Sequence, residues 1–320
     1  MKVNLGYVAI SKALGNKVTS SGNVTYKTYS KISSEEKRVE KLKAVTASNL
    51  NGLQQIIKYN IENDIHFYRI TSALIPLVTH PDVPDYGYSE IFKKDFEYIG
   101  KLIANSNMRV DTHPDEFNVI NSINNQVVQN TIRNLLVQSQ WFDYLNFPKG
   151  KMVVHVGGAT GGKDSGLARF IHNYKILPKR IQERLIVEND DKTYTAKETL
   201  ALCKELNIPM VLDVHHHNCN NNGEDILSML KDIFSTWHYE KLPPKIHFSS
   251  PRDGETDRKH ADYINVNDFT EFLEKSKILN VDFDVMLECK EKDIALFKLL
   301  DDIRNLKPEY TWLDKTTFIL

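Results

Sequence analysis

The sequence predicts an α/β chain folded as a single (β/α)8 TIM barrel, with a metal site at the C-terminal face of its strands. Three observations carry that prediction. Short β-rich runs alternate with longer helical patterns through eight units. No linker or shift in composition separates them, so residues 1–306 read as one barrel, with a short tail, 307–320, packed on it. Helix-to-strand connections are short and Asn-rich, whereas strand-to-helix connections such as Ser11–Ser33, Thr71–Tyr88 and Ser249–Asn267 are long. In a barrel all the long ones lie on one face, the face where active sites are built.

The elements follow in order. Val3–Ile10 is the first strand, and its helix starts near Ser33, where Ser33 and Glu36 match a capping box, and runs to about Asn63. His66–Ile70 precedes a helix over Ser89–Asn105, and Arg109–Thr112 one over Gln126–Leu145. Met152–His155 is followed by Gly166–Leu177, and Leu185–Glu188 by Ala196–Leu206. Met210–Asp213 leads to a helix around Ile226–Phe234, and Lys245–Phe248 to Asp268–Leu279. Phe283–Glu288 and Asp293–Asn305 close the set.

Composition removes several classes of function. At 320 residues, 41% of them hydrophobic, the chain can bury a large core, and a net charge of -1 gives no global pull toward nucleic acid or membrane. A basic binding face would have to be segregated from acid elsewhere. Three scattered cysteines outside any C-x-x-C argue against a disulfide framework and fit a reducing, cytoplasmic setting. No apolar run resembles a secretion signal or a membrane span.

The chemistry lies at the strand ends. Strand three ends at His113, four at His155, five at Glu188, six at Asp213 followed by His215, His216 and His217, and eight at Glu288. Strand seven carries Lys245 and His247, while His80 and His260 sit in the loops after strands two and seven. Of the 11 histidines, seven or more fall at or just beyond these positions. One strand-end histidine is ordinarily a hydrogen-bonded core residue, but a barrel brings separate strand ends together around one axis. Imidazoles and carboxylates converging without cysteine suit zinc, manganese or iron, and more ligands are present than one ion can use, so two or three ions are expected. Such centres suit displacement at phosphorus, one ion activating water and another stabilising the leaving oxygen. A divalent-metal sugar isomerase or epimerase on the same barrel is the alternative, although a single-metal site needs fewer imidazoles.

Two other stretches point elsewhere. Gly157–Asp164 fits G-x-x-x-x-G-K, but Asp164 stands where a nucleotide P-loop needs Ser or Thr, so it reads as a turn exposing backbone N–H groups. Lys12, Lys17, Lys27, Lys31, Lys37, Arg38, Lys41 and Lys43 read first as a solvated face. Those in the first loop lie beside the metal face and could track a phosphate backbone, as could Arg252, Arg258 and Lys259.

The ordered motifs Tyr68–Ser72 (Y-R-I-T-S), His113–Phe117 (H-P-D-E-F), His155–Ala159 (H-V-G-G-A), Val187–Tyr194 (V-E-N-D-D-K-T-Y), Leu212–His216 (L-D-V-H-H), Lys245–Ser250 (K-I-H-F-S-S), Lys259–Tyr263 (K-H-A-D-Y) and Leu287–Lys290 (L-E-C-K) span nearly the whole chain. Together with Gly6-Tyr7 and Thr79–Pro81, they resemble the UV damage endonucleases. The resemblance implies a barrel related to those of endonuclease IV and xylose isomerase. It implies a nick in double-stranded DNA immediately 5′ of cyclobutane dimers and 6-4 products, with some members also acting at abasic sites. A general abasic-site endonuclease is a further alternative. The enzyme would work as a monomer at the nucleoid, with no membrane partner. Manganese is the implied metal, with zinc or magnesium as substitutes, and the implied ligands are His113, His155, Glu188, Asp213, His216, His247, His260 and Glu288. His80 would sit near the cluster, in contact with metal-bound water or the scissile phosphate. Tyr7, Ser11, Glu116 and Phe117 would meet the lesion, the last two as a wedge.

Two residues carry specific expectations. Lys245 lies two before His247, so strand alternation points both the same way. An ammonium there should either bind the phosphate or be carboxylated into a bridging anion. Strict alternation would also favour His215 over His216 as the partner of Asp213. The resemblance selects His216, which requires the strand to end at Asp213, while His217 would orient a ligand or face the loop.

Overall fold

A computed structural model describes residues 1–320. Its strands are β1 (Lys2–Val8), β2 (Phe67–Ile70), β3 (Arg109–Thr112), β4 (Lys151–His155), β5 (Leu185–Glu188), β6 (Met210–Asp213), β7 (Lys245–Phe248), β8 (Phe283–Leu287), β9 (Thr311–Trp312) and β10 (Thr317–Ile319). The first eight run parallel in chain order, and the β1–β2 pairing closes the ring. This is the TIM barrel expected. Closure is tight where β1 meets β2: a Cβ on Gly6 would stand 2.3 Å from the Phe67 carbonyl oxygen, so only glycine fits there.

Barrel stagger leaves the start of β1 unpaired on its β2 side, since β2 takes only Gly6–Val8. The end of the chain fills that gap. β10 runs antiparallel to β1 with Lys2 opposite Ile319 and Asn4 opposite Thr317, and β9 pairs β10. Phe318 is fully buried there, stacked on Tyr310 at 5.6 Å. A row of exposed strand N–H and C=O groups is thereby covered.

Element boundaries differ from the sequence reading in instructive places. β1 stops at Val8 rather than Ile10 because Ala9 adopts a left-handed φ of 65°. The long helix Glu35–Glu62 is capped by Ser34, whose hydroxyl accepts from the Lys37 N–H, and not by a Ser33–Glu36 box. Ser34→Ala should therefore cost about 1 kcal/mol in urea denaturation while Ser33→Ala stays within about 0.5 kcal/mol; the reverse order would refute this cap. The helix expected over Ser89–Asn105 is two, Tyr88–Ile91 and Lys93–Asn105, broken at Phe92. A helix that the sequence did not announce, Val214–Cys219, begins directly after β6.

The barrel interior is layered, as alternating inward side chains require. At the floor Arg109 bonds Asp284 at 2.6 Å, and the Asn4 amide bonds the same carboxylate. Above it Val153, Ile186 and Val211 pack with Trp237. The top layer is polar. No helix is long and apolar enough to cross a membrane.

Candidate metal centre

The strand ends deliver their side chains to one carboxylate. Glu188, at the end of β5 and 1% exposed, lies within reach of four imidazoles. Its Oε2 is 3.0 Å from His113 Nε2 and 3.9 Å from His155 Nε2. Its Oε1 is 2.8 Å from His247 Nδ1 and 3.4 Å from His216 Nδ1. Asp213 Oδ2 is 3.8 Å from His216 Nδ1, and Glu288 Oε1 is 3.3 Å from His247 Nδ1. Three donor sets result, His113–His155–Glu188, Glu188–Asp213–His216 and Glu188–His247–Glu288. Within each, all donor atoms lie within 4.8 Å of one another, and Glu188 belongs to all three.

Local structure explains why His216 and not His215 joins the cluster. Asp213 leaves the strand as the N-cap of the short helix Val214–Cys219, its Oδ1 accepting from the His216 N–H at 2.8 Å. The helical turn swings residue 216 back over Asp213. Asn189 holds the junction with two bonds to the Asp213 backbone. His215 is buried beside this, its ring edge-on to His260 at 5.5 Å, and belongs to none of the three sets. His217 faces the loop and bonds the Glu224 carbonyl.

Other expected residues are placed differently. His260 lies outside the three sets: its Nδ1 donates to the Glu288 carbonyl at 2.6 Å, and its ring lies 6.4 Å from that of His216 at the edge of the cavity. His80, expected near the cluster, stacks flat on Tyr26 at 4.0 Å in the neighbouring groove. Lys245 lies below the donor sets. It is fully buried, paired to Asp111, with its ammonium 5.7 Å above the Phe67 ring. Tyr7 is also wholly buried, because Gly6 takes the inward position and Tyr7 points to the long helix, donating to Asn60 Oδ1 at 2.7 Å. Ser11 is 3% exposed and donates to Asp293 Oδ2, so it pins the first loop. Glu116 is exposed on the cavity wall, and Phe117 stands 82% exposed at the tip of the loop after β3.

The structure adds one residue that sequence reasoning passed over, Arg69, and places another that it named only for the phosphate backbone, Arg258. Arg69 of β2 bonds Glu288 at 2.5 Å and His247 Nε2 at 2.6 Å from inside the barrel. A cation at an inward strand position was the available signal, within the Y-R-I-T-S motif. Arg258, 3.4 Å from Asp191, lines the polar cavity of about 290 Å³ above the donor sets, together with His155, His216 and His260.

Electrostatics sort the imidazoles. Burial, reinforced by Arg69, pushes His113 down to about 4, and burial with His113 and His216 nearby takes His155 to about 3. Burial and Arg69 likewise hold His247 well below its usual value. These rings are neutral at pH 7 and have lone pairs to give. His216 is the exception. Burial opposes its charge, but Asp213, Glu188 and Glu288 prevail and raise it to about 9. Burial also pushes the Glu188 carboxyl well above the usual carboxylate range.

A divalent ion fits this donor set. Three carboxylates, Glu188, Asp213 and Glu288, converge in the barrel mouth, and the cation placed among them, Arg69, bonds only Glu288 of the three. Asp213 Oδ2 and His155 Nδ1 are buried without a hydrogen-bond partner. Buried polar atoms left without a hydrogen-bond partner are costly, and oxygen and nitrogen donors without sulfur suit a hard or borderline cation. Ligands must shed protons to bind metal. Since His216 stays protonated below about 9, uptake at its set should strengthen about tenfold per pH unit from about pH 7 upward and flatten beyond about 9. Calorimetric manganese titrations in buffers of different ionisation enthalpy measure the released proton. A pH-independent affinity with no proton release would contradict the assignment.

Fold and site together define a TIM barrel with a candidate multi-histidine, multi-carboxylate metal centre at its C-terminal mouth. The chain belongs to the UV-endonuclease UvdE family, whose model matches residues 3–311. It is 37% identical over 308 residues to a UV DNA damage endonuclease of Bacillus cereus (strain B4264), covering 96% of each chain. The crystal structure of SacUVDE superposes with a TM-score of 0.84 at 32% identity, covering 95% of this chain and 99% of that one. Endonuclease IV from Thermus thermophilus, at 16% identity and a TM-score of 0.55 over 81% of this chain and 95% of its own, shares the fold.

Proposed function

We propose that this protein is a metal-dependent DNA repair endonuclease that nicks the phosphodiester bond 5′ of ultraviolet photoproducts, and acts on some abasic sites. The observation that carries the reading is the Glu188 carboxylate shared by three donor sets at the barrel mouth, in a chain of the UvdE family. His113, His155, Glu188, Asp213, His216, His247 and Glu288 hold two or three ions, manganese first among them, and His260 attends from the rim. When bound, such ions supply a water of lowered pKa and charge compensation at the leaving oxygen. The chain's own groups do the rest. The neutral imidazoles of His113 and His155 give up no proton on binding, and Asn189 keeps Asp213 and His216 in register. Phe117 is the apolar wedge: an 82% exposed ring beside a cavity is costly in water and suits insertion between bases. Arg258 and the exposed lysines of the first loop follow the phosphates, whereas Lys12 is tied to Glu291. Lys245 acts from below through Asp111, and a carbamate on it would add about 44 mass units, one carbon dioxide, to the intact native protein.

The test is a plasmid assay. Purified protein with manganese should nick ultraviolet-irradiated supercoiled DNA and spare untreated DNA, and Glu288→Gln and His216→Ala should each lower that activity. Equal nicking of both plasmids, or of neither, would overturn the repair reading. Full activity in both variants would overturn the ligand assignment.

A further inference from the structure

One of the three donor sets already holds a cation, and that cation belongs to the protein. The Arg69 guanidinium, on a side chain 8% exposed, reaches up from β2 to Glu288 Oε1 and to His247 Nε2. These are two members of the Glu188–His247–Glu288 set. Below it the packing is incomplete. Arg69 Nε and Asp111 Oδ1 face each other at 3.6 Å, and both are buried without a hydrogen-bond partner. A descent of about 0.7 Å would bring that pair to ordinary hydrogen-bond length. The side chain therefore has two berths, one filled at Glu288 and His247 and one waiting at Asp111.

The hydrogen-bond polarity at His247 makes the upper berth incompatible with a bound ion. Nε2 accepts from Arg69, so the ring proton sits on Nδ1, where it faces Glu188 Oε1 at 2.8 Å. A divalent ion between Glu188 and Glu288 needs the Nδ1 lone pair. The proton then moves to Nε2, where it would point at a guanidinium N–H. Charge repulsion acts in the same direction, since guanidinium and divalent ion would share Glu288.

Resting on the metal reading above, we propose that Arg69 is a built-in surrogate cation. It neutralises the Glu188–His247–Glu288 set in the metal-free protein and steps down to Asp111 when an ion enters. It thereby competes with that ion and sets its affinity, while keeping the stripped barrel folded. Like any competitor for one of two states, it weakens the ligand by the free energy of its own displacement.

The test compares wild type, Arg69→Met and Arg69→Lys after chelation. Manganese is titrated calorimetrically, bound metal is counted after gel filtration, and the stripped proteins are melted. Arg69→Met should keep the wild-type metal count, bind its weakest ion about tenfold more tightly, and melt lower than wild type only when stripped. Arg69→Lys, whose compact ammonium cannot span Glu288 and His247 together, should fall between the two. Weaker binding or a lost ion in folded Arg69→Met would make Arg69 a fixed prop and overturn the proposal. If Arg69→Met does not fold when stripped, Arg69→Lys decides in the same way, an affinity at or below wild type overturning it. Wild type that binds no manganese would instead overturn the metal reading itself.

Discussion

Glu188→Gln should lower nicking of irradiated plasmid by roughly 10²–10³-fold or more, on the order of losing one preorganised charge-stabilising group. It should also release more metal than any other single substitution. The reason is geometric. One oxygen of Glu188 serves His113 and His155, and the other serves His216 and His247. An amide keeps the shape but removes the charge and converts one of those oxygens into a donor. Glu288→Gln touches only one donor set and should cost less. The metal-free protein tolerates the change, since burial already pushes the Glu188 carboxyl toward its neutral form. Unchanged melting of the stripped variant, with metal counted by atomic spectroscopy, separates loss of ligand from loss of fold. Equal losses of activity and metal in the two variants would contradict a shared central ligand.

Lys245→Met should destabilise the metal-free protein by about 3–5 kcal/mol, the scale of breaking a buried ion pair. Asp111, 1% exposed, would be left with Arg69 at 3.6 Å as its nearest cation. The pair itself contributes little, because burial pushes Lys245 down to about 8 even with Asp111 beside it. The double variant Lys245→Met/Asp111→Leu should therefore recover most of the loss in urea denaturation. This distinguishes an internal prop from a phosphate ligand. A single variant that folds with normal stability but loses activity, and is not rescued by the second change, would return Lys245 to the active site.

Much of the site was legible because barrel topology turns order along the chain into position around an axis. Once His113, His155, Glu188, Asp213 and Glu288 are each read as ending a strand, their convergence follows without side-chain detail. Lys245 and Tyr7 show where that reasoning stops. Alternation says that Lys245 shares a face with His247, and it does, but one layer lower in a barrel the ammonium meets Asp111. Tyr7 is adjacent to the site in sequence terms, yet Gly6 is the residue that must face Phe67 across the closing seam, which turns the phenol outward to Asn60.

The alternating pattern, the asymmetric loops and the strand-end imidazoles and acids determined the fold class, the face that carries the cluster and the elements of the candidate metal centre. Those are properties of period and order, and a linear chain carries them. Which of three adjacent histidines faces Glu188 was decided by the Asp213 cap and the helix it starts. Which groups stay inside depended on how barrel layers stack: Arg69 reaches Glu288 and His247 from beneath, His80 stacks on Tyr26, and Ser11 closes on Asp293. Those outcomes depend on partners far apart in sequence, brought to bonding distance only when the barrel closes.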